Sequence, residues 1–231
     1  MNEGANQGAP GPRPGRWGEV LGETLRAWLS LLCEPTCPGC DLPWADSSDP
    51  FCGACSPLIE PAPAALRPPR RTAALFVYAG PLADSIRRMK YAGRSEVARP
   101  LGSLLTTAGV HYAGHVDRIV PIPLHPSALA RRGFNQSVLI ARPLARALGA
   151  RLDMETLRRI RPTRAQAGLA AEARLSNVRG AFAARRPKRC DRVLVFDDVR
   201  TSGATLASAA LALRAAGFRD IRTLALATVV P

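Results

Sequence analysis

The sequence has 231 residues, enough for one large domain or one domain plus a small module, and its 47% apolar content suffices for a packed core. Thirty-two Lys and Arg against 18 Asp and Glu leave a net charge of +14, which suits polyanionic partners, nucleic acid or phosphorylated small molecules, although arginine usage alone can produce such a surplus. No apolar run reaches the roughly 18 residues of a transmembrane span. No basic start, apolar stretch and cleavage site mark a secretory signal. The expectation is a cytoplasmic protein with no integral membrane segment, its cysteines reduced and free to bind metal.

Met1 to Gly15 is rich in Gly, Pro and Asn and is expected to be a disordered tail. From Trp17 the pattern changes. Leu21, Leu25, Trp28, Leu29 and Leu32 recur at helical spacing, with Glu19, Glu23 and Arg26 on other faces. This predicts an amphipathic helix of about four turns. Docking onto its own domain is the default; a membrane-surface role is weaker, because the polar face is not strongly basic.

Cys37-Pro-Gly-Cys40 and Cys52-Gly-Ala-Cys55 follow, two Cys-x-x-Cys pairs separated by eleven residues. Each pair can form a tight knuckle, and two knuckles complete a tetrahedral four-thiolate site for structural Zn2+. Gly39 and Gly53 supply turn freedom in this reading. A pair of redox dithiols is the alternative. So short a segment has little apolar surface, so metal binding would supply much of its order. Cys33 reads as a buried thiol at the helix end and Cys190 as an isolated structural one. Residues 16–60 are thus read as an amphipathic helix plus a four-cysteine zinc ribbon. Pro57 to Arg71, with five prolines and three arginines, is a linker, and the boundary is drawn at 61–71.

Residues 72–231 read as one domain. Ala73 to Ala79 is a predicted strand, Pro81 opens a helix through Lys90, and Glu96 to Ala108 is another helix. His111 and His115 are four apart, but Gly114 and Tyr112 favour a surface loop over a metal site. Val116 to Ile122 is a strand stopped by Pro121-Ile-Pro123. A basic loop from His125 to Gln136 then leads into a helix, Ser137 to Leu148. In it Arg131 and Arg132 could clamp a diphosphate, since guanidinium forks match phosphate oxygens; a solvated basic turn is the plain alternative. Thr156 to Ile160 is a strand, Arg161 to Gly168 a mobile polar loop, Ala171 to Val178 a helix and Ala181 to Ala184 a short strand. Helix Ala204 to Ala216 is ended by Gly217, and Ile221 to Val230 is the last strand. Alternating strands and helices predict a parallel α/β sheet, with ligands beyond the carboxyl ends of its strands.

The chemically richest stretch is Val193 to Leu206. Val193 to Phe196 reads as a strand buried on both faces. Asp197 and Asp198 set two carboxylates at its end. Thr201-Ser202-Gly203-Ala204-Thr205 is small and hydroxyl-rich and opens a helix, whose N-terminus favours an anion. Acids for vicinal hydroxyls beside a phosphate-sized loop make a sugar-phosphate site. An ordinary strand–turn–helix with Thr201 or Ser202 as N-cap is the bland reading; the adjacent acids speak against it. The stretch resembles the 5-phosphoribosyl-1-pyrophosphate (PRPP) motif of type I phosphoribosyltransferases.

From about Leu31 onward the chain resembles the ComF competence family of phosphoribosyltransferase-like proteins. The resemblance is carried by the double Cys-x-x-Cys module, Tyr78-Ala-Gly-Pro-Leu, Met89-Lys90-Tyr91, Pro121-Ile-Pro-Leu-His125 with Arg132-Gly-Phe-Asn-Gln136, and then Arg164, Gln166, Leu169, Arg174, Asn177, Val178 and Gly180-Ala-Phe182. It implies a parallel-sheet, type I phosphoribosyltransferase-like domain preceded by a small zinc-ribbon module. It further implies that Asp197 and Asp198 contact ribose hydroxyls, directly or through water or magnesium, and that Thr201 to Thr205 hold the 5-phosphate. Arg131 and Arg132 become candidates for the pyrophosphate, and Lys90 a further phosphate contact. Thr201 departs from relatives that carry an acid there for base chemistry. No residue set identifies a catalytic acceptor site.

Two functions follow as expectations. One is an enzyme transferring a phosphoribosyl group from PRPP, with Mg2+ on the departing pyrophosphate. The other is a non-catalytic module binding single-stranded DNA or a DNA-translocating competence ATPase, in keeping with the resemblance to a family tied to natural transformation. Phe134 and Tyr91 are the best base-stacking candidates in the second.

Overall fold

The computed structural model describes residues 35–44, 49–162, 178, 180–185 and 192–230. The predicted N-terminal tail and amphipathic helix, Cys33, Cys190, and Arg164, Gln166, Leu169, Arg174 and Asn177 lie outside the described residues. From the linker onward the elements run β1 (Thr72–Val77), α1 (Gly80–Tyr91), α2 (Ala98–Thr106), α3 (Gly109–Tyr112), β2 (Arg118–Pro121), α4 (Pro126–Arg132), α5 (Gln136–Leu148), β3 (Arg151–Leu152), β4 (Leu157–Arg159), β5 (Phe182–Ala184), β6 (Val193–Arg200), α6 (Ala204–Ala215) and β7 (Ile221–Thr228).

Five strands form one parallel sheet in the order β1-β7-β6-β2-β3. The alternation of side chains along β6 decides which layer each residue enters. Leu194 and Phe196 join the core with Leu82 and Ile86 of α1, Leu101 of α2 and Ile140 and Leu144 of α5. Val193 and Val195 join a second core with Leu206, Ala209 and Leu213 of α6. A strand covered on both faces needs apolar residues throughout, which is why β6 begins as an unbroken apolar run. The α/β class and the parallel sheet are as the sequence predicts.

Four details differ from expectation. The strands near 156–160 and 181–184 do not enter the main sheet; β4 and β5 pair antiparallel as a separate two-stranded ribbon, with Leu157 and Phe182 on the α6 side. The predicted helix from Glu96 begins as a 3-10 turn, Ser95–Val97, before α2. The basic loop contains a helix, α4. His125 caps it by accepting from Ser127 N–H at 3.4 Å, Pro126 fills its first turn, and Gly133 ends it at φ 81°. Gly39 and Gly53 are not left-handed: the positive φ in the first knuckle belongs to Asp41, at 66°. Gly39 instead makes room, since a Cβ there would lie 2.6 Å from Cβ of Pro81 on α1.

The cysteine segment packs on the domain rather than apart from it. Cys37, Phe51 and Cys55 are buried in the core that holds Leu82 and Met89 of α1. Arg88 of α1 donates from Nη1 to the carbonyls of Pro38, at 2.6 Å, and Gly39. Within the expected linker, Ala62 is fully buried. Its N–H donates to Leu75 O and Val77 N–H donates to Glu60 O, each at 2.8 Å, covering the free edge of β1. Among the described residues no helix is long and apolar enough to cross a membrane.

Candidate functional site

The boundary between β2 and β6 is a switch point of the sheet. The chain leaves β2 through α5 on one face and leaves β6 through α6 on the other. Such points open a crevice at the carboxyl ends of the strands. The two strands also end at different heights. β2 stops at Pro121, paired with Phe196, while β6 runs on beside β7 through Asp197, Val199 and Arg200 to Thr228. The acid pair therefore lies inside β6, not at its end as predicted. It sits past the reach of β2: Ile122 N–H still donates to Phe196 O at 2.8 Å, but Ile122 O is taken by the Asn135 side chain.

Alternation sends the two acids to different neighbours. Asp198, on the face of Leu194 and Phe196, meets α1: Lys90 Nζ lies 2.7 Å from its Oδ2. That oxygen accepts no further hydrogen bond among the described residues, while Oδ1 accepts from Val199 N–H at 2.9 Å. Asp197 Oδ1 accepts from Ser137 Oγ at 3.2 Å and from Asp198 N–H at 3.0 Å. Burial, and then the neighbouring Asp198 charge, push the Asp197 carboxyl up to about 7, against the pull of Lys90. Burial alone would lower the Lys90 ammonium, but the charge and hydrogen bond of Asp198 outweigh it and hold it above its ordinary value. Burial lowers Arg159 of β4, which also feels the charge of Asp197.

The loop after the acids reaches α6 within three residues. Gly203 stands at φ 79° directly before α6, a conformation that disfavours a side chain. A Cβ there would also lie 3.1 Å from Nε of Arg200, whose Nη1 donates to Thr228 Oγ1 at 3.2 Å. Ser202 Oγ accepts from Ala204 N–H at 3.4 Å, so its hydroxyl turns the loop back on itself. Thr201 to Thr205 thus surround the N-terminus of a twelve-residue helix, where the helix dipole favours an anion.

The Arg132-Gly-Phe-Asn-Gln136 segment is tied to the acids. Asn135 caps α5, accepting from Ser137 N–H at 3.0 Å, and its amide donates to Ile122 O at 3.0 Å at the end of β2. Ser137 then reaches Asp197. Arg132 donates from Nη1 to Gln136 Oε1 at 2.6 Å, and Arg131 is exposed in the last turn of α4. Of the predicted residues, Asp197, Asp198, Lys90 and Thr201–Thr205 come together around the ends of β6 and α1. Lys90 is turned to Asp198. Ser137 and Arg200 were not singled out from the sequence. Arg200 lies between the acids and Thr201, and Ser137 directly after the Asn-Gln pair, so adjacency to a motif was the available signal.

Sγ atoms of Cys37, Cys40, Cys52 and Cys55 all lie within 4.8 Å of one another. Cys40 and Cys52 sulfurs are 3.7 Å apart, against the ~3.8 Å edge of a tetrahedron with metal–sulfur bonds of about 2.3 Å. The four cysteines are unpaired by disulfides. Burial opposes the Cys37 thiolate, but N–H groups of Cys52, Cys40 and Gly39 bring that thiol down to about 7, whereas burial pushes Cys55 up. The arrangement fits a zinc ribbon. His111 and His115 are exposed and belong to no such cluster among the described residues.

No protein-family model matches the chain. It is similar to the DNA utilization protein YhgH of Escherichia coli, 36% identical over 203 residues that span 85% of this chain and 84% of that one. It is similar to competence protein F of Haemophilus influenzae, 32% identical over 65% of this chain and 69% of that one, and to competence protein ComFC of Streptococcus pneumoniae, 29% identical over 66% of each. Among solved structures, Leishmania donovani UMP synthase matches 62% of this chain and 24% of its own, with a TM-score of 0.37 and 21% identity. With identity above 30% sustained across most of both chains, the protein belongs to the ComF family, that of the DNA utilization protein YhgH and competence protein F.

Proposed function

We propose that the protein binds PRPP or a nucleotide-like 5-phosphoribosyl ligand at the ends of β2 and β6, in a cytoplasmic role in DNA uptake. The observation that supports this best is the junction of Asp197 and Asp198 with the Thr201–Thr205 loop. One strand carries both carboxylates past its neighbour, and the loop beside them opens a helix over a left-handed Gly203. In this reading the acids, with Lys90 between α1 and Asp198, take the ribose diol, accepting and donating respectively. The loop amides and hydroxyls take the 5-phosphate. Arg131 and Arg132 take the diphosphate. The four cysteines hold structural zinc, which fixes the ribbon against α1.

The reaction that suits such a ligand is transfer of the phosphoribosyl group to a nitrogen nucleophile with loss of pyrophosphate. Magnesium, expected with PRPP, is poorly matched to the acid pair, because Lys90, Val199 N–H, and Ser137 with Asp198 N–H already hold three of its four oxygens. The test is to mix the protein with PRPP and a panel of bases. Pyrophosphate release that Asp197→Asn and Asp198→Asn abolish supports transfer. PRPP binding without release supports a ligand-binding module, and no binding sinks the reading.

A second reading has its own support. Arg99 on α2 and Arg142 and Arg146 on α5 line an open groove of about 350 Å³ with Leu139 and Pro143. The relatives are named for DNA utilization and competence. Single-stranded DNA, or a DNA-translocating ATPase, is then the partner. Binding of single-stranded DNA that weakens steeply with salt supports it; a flat salt response removes it.

A further inference from the structure

We propose that Lys90 occupies the cation position of the acid pair, so that in the wild-type protein Asp198 does not ligate a divalent metal ion. Lys90 Nζ is 2.7 Å from Asp198 Oδ2, with the two side chains 19% and 4% exposed. Among the described residues no conventional hydrogen bond reaches that oxygen from elsewhere. Of the other oxygens, Asp198 Oδ1 is held by Val199 N–H and Asp197 Oδ1 by Ser137 and Asp198 N–H. Magnesium needs near-octahedral oxygen ligands at about 2.0–2.1 Å. To obtain them here it would have to displace a partly buried ammonium from a buried carboxylate, or share that carboxylate with it. Like charges so close, with little water between them, repel strongly.

The helix that carries the lysine is also held in place. Lys90 stands two residues after Arg88, whose guanidinium grips the carbonyls of Pro38 and Gly39 in the ribbon. Met89, between them, is buried in the core. Helix α1 is therefore fixed by the ribbon on one side and by Asp198 on the other. It delivers a permanent positive charge where a mobile ion would otherwise sit. A metal ion arriving with a diphosphate would stay on the diphosphate oxygens. A ribose phosphate that lacks the diphosphate would bind with or without magnesium. This ligand clause rests on the phosphoribosyl reading; the metal clause does not.

The metal clause is tested by titrating Mn2+ into the zinc-loaded full chain and following bound ion by electron paramagnetic resonance. Wild type and Asp198→Asn are expected to match, with no tight site at Asp198. Lys90→Met is expected to gain one Mn2+ per chain, Lys90→Arg none, and Lys90→Met with Asp198→Asn none. A wild-type site that Asp198→Asn removes overturns the proposal, whether or not Lys90→Met folds. So does a Lys90→Met chain with native near-ultraviolet circular dichroism and no gain. The ligand clause is tested by calorimetry with ribose 5-phosphate. Equal affinity in magnesium and in magnesium-free buffer, within about twofold, is expected, and binding only with magnesium overturns it. Absence of binding in both buffers defeats the phosphoribosyl reading and the ligand clause together, leaving the Mn2+ titration to decide the metal clause.

Discussion

Ser137 Oγ donates to Asp197 Oδ1 across 3.2 Å, although the residues are 60 positions apart. Ser137 is the second residue of α5, and Asn135 caps that helix while its amide holds the end of β2 through Ile122 O. The Arg-Gly-Phe-Asn-Gln segment and the acid pair are therefore one hydrogen-bonded unit. Ser137→Ala removes a donor that favours the charged carboxylate, so the Asp197 carboxyl should rise above about 7. Loss of one such bond should cost about 1 kcal/mol of stability. Carboxyl titration by nuclear magnetic resonance and urea denaturation read the two effects; an unmoved titration would show that the contact does not govern Asp197.

Asp197 also predicts a pH dependence of stability. Its folded-state value, about 7, lies above that of an exposed carboxyl near 3.8. The folded protein therefore binds more protons than the unfolded chain between those values, and stability contributed by this group falls as pH rises from about 4 to 7. Asp153 and Asp117, depressed to about 2, act in the opposite sense only at lower pH. Asp197→Asn should remove the slope. The melting temperature of the variant minus that of wild type should increase from pH 5 to pH 8; a constant difference would refute the assignment.

Gly203→Ala meets two obstacles at once. The residue is left-handed at φ 79°, and a Cβ would lie 3.1 Å from Arg200 Nε. The backbone part should cost about 1–2 kcal/mol. Arg200→Ala should relieve the contact but not the backbone strain. Affinity for adenosine 5′-monophosphate should fall at least tenfold in Gly203→Ala, measured by calorimetry. Retained affinity would move the phosphate away from this loop.

Metal removal should act well beyond the ribbon. Phe51 is 1% exposed and shares its core with Leu82 and Met89, so releasing the knuckles would open that core. Loss of an aromatic side chain from a core costs about 3–5 kcal/mol. Chelation, or Cys37→Ser, should thus lower the melting temperature by about 5 °C or more and increase binding of a hydrophobic dye. Arg88→Ala should speed zinc loss to a chelator by freeing the carbonyls of Pro38 and Gly39. An unchanged melting temperature after complete zinc loss would separate the ribbon from the fold.

Local chemistry made much of this protein legible in advance. The unbroken apolar run before Asp197 marked a strand covered on both faces. The two Cys-x-x-Cys pairs marked a four-sulfur cluster, because each knuckle is closed by neighbours in sequence. Pro121 and Pro123 marked a strand end, because each acts on its own backbone. Other features were settled only by packing. Lys90, expected on a phosphate, faces Asp198 because the fold sets the last turn of α1 beside that residue. Gly39 is needed for its missing side chain and not for its φ, because Pro81 approaches it from another element. The strands at Leu157 and Phe182 pair with each other outside the main sheet, which no periodicity of three residues can reveal. Residue type and spacing specify the contacts a segment makes with itself; the partner of a buried charge depends on which distant element the fold lays beside it.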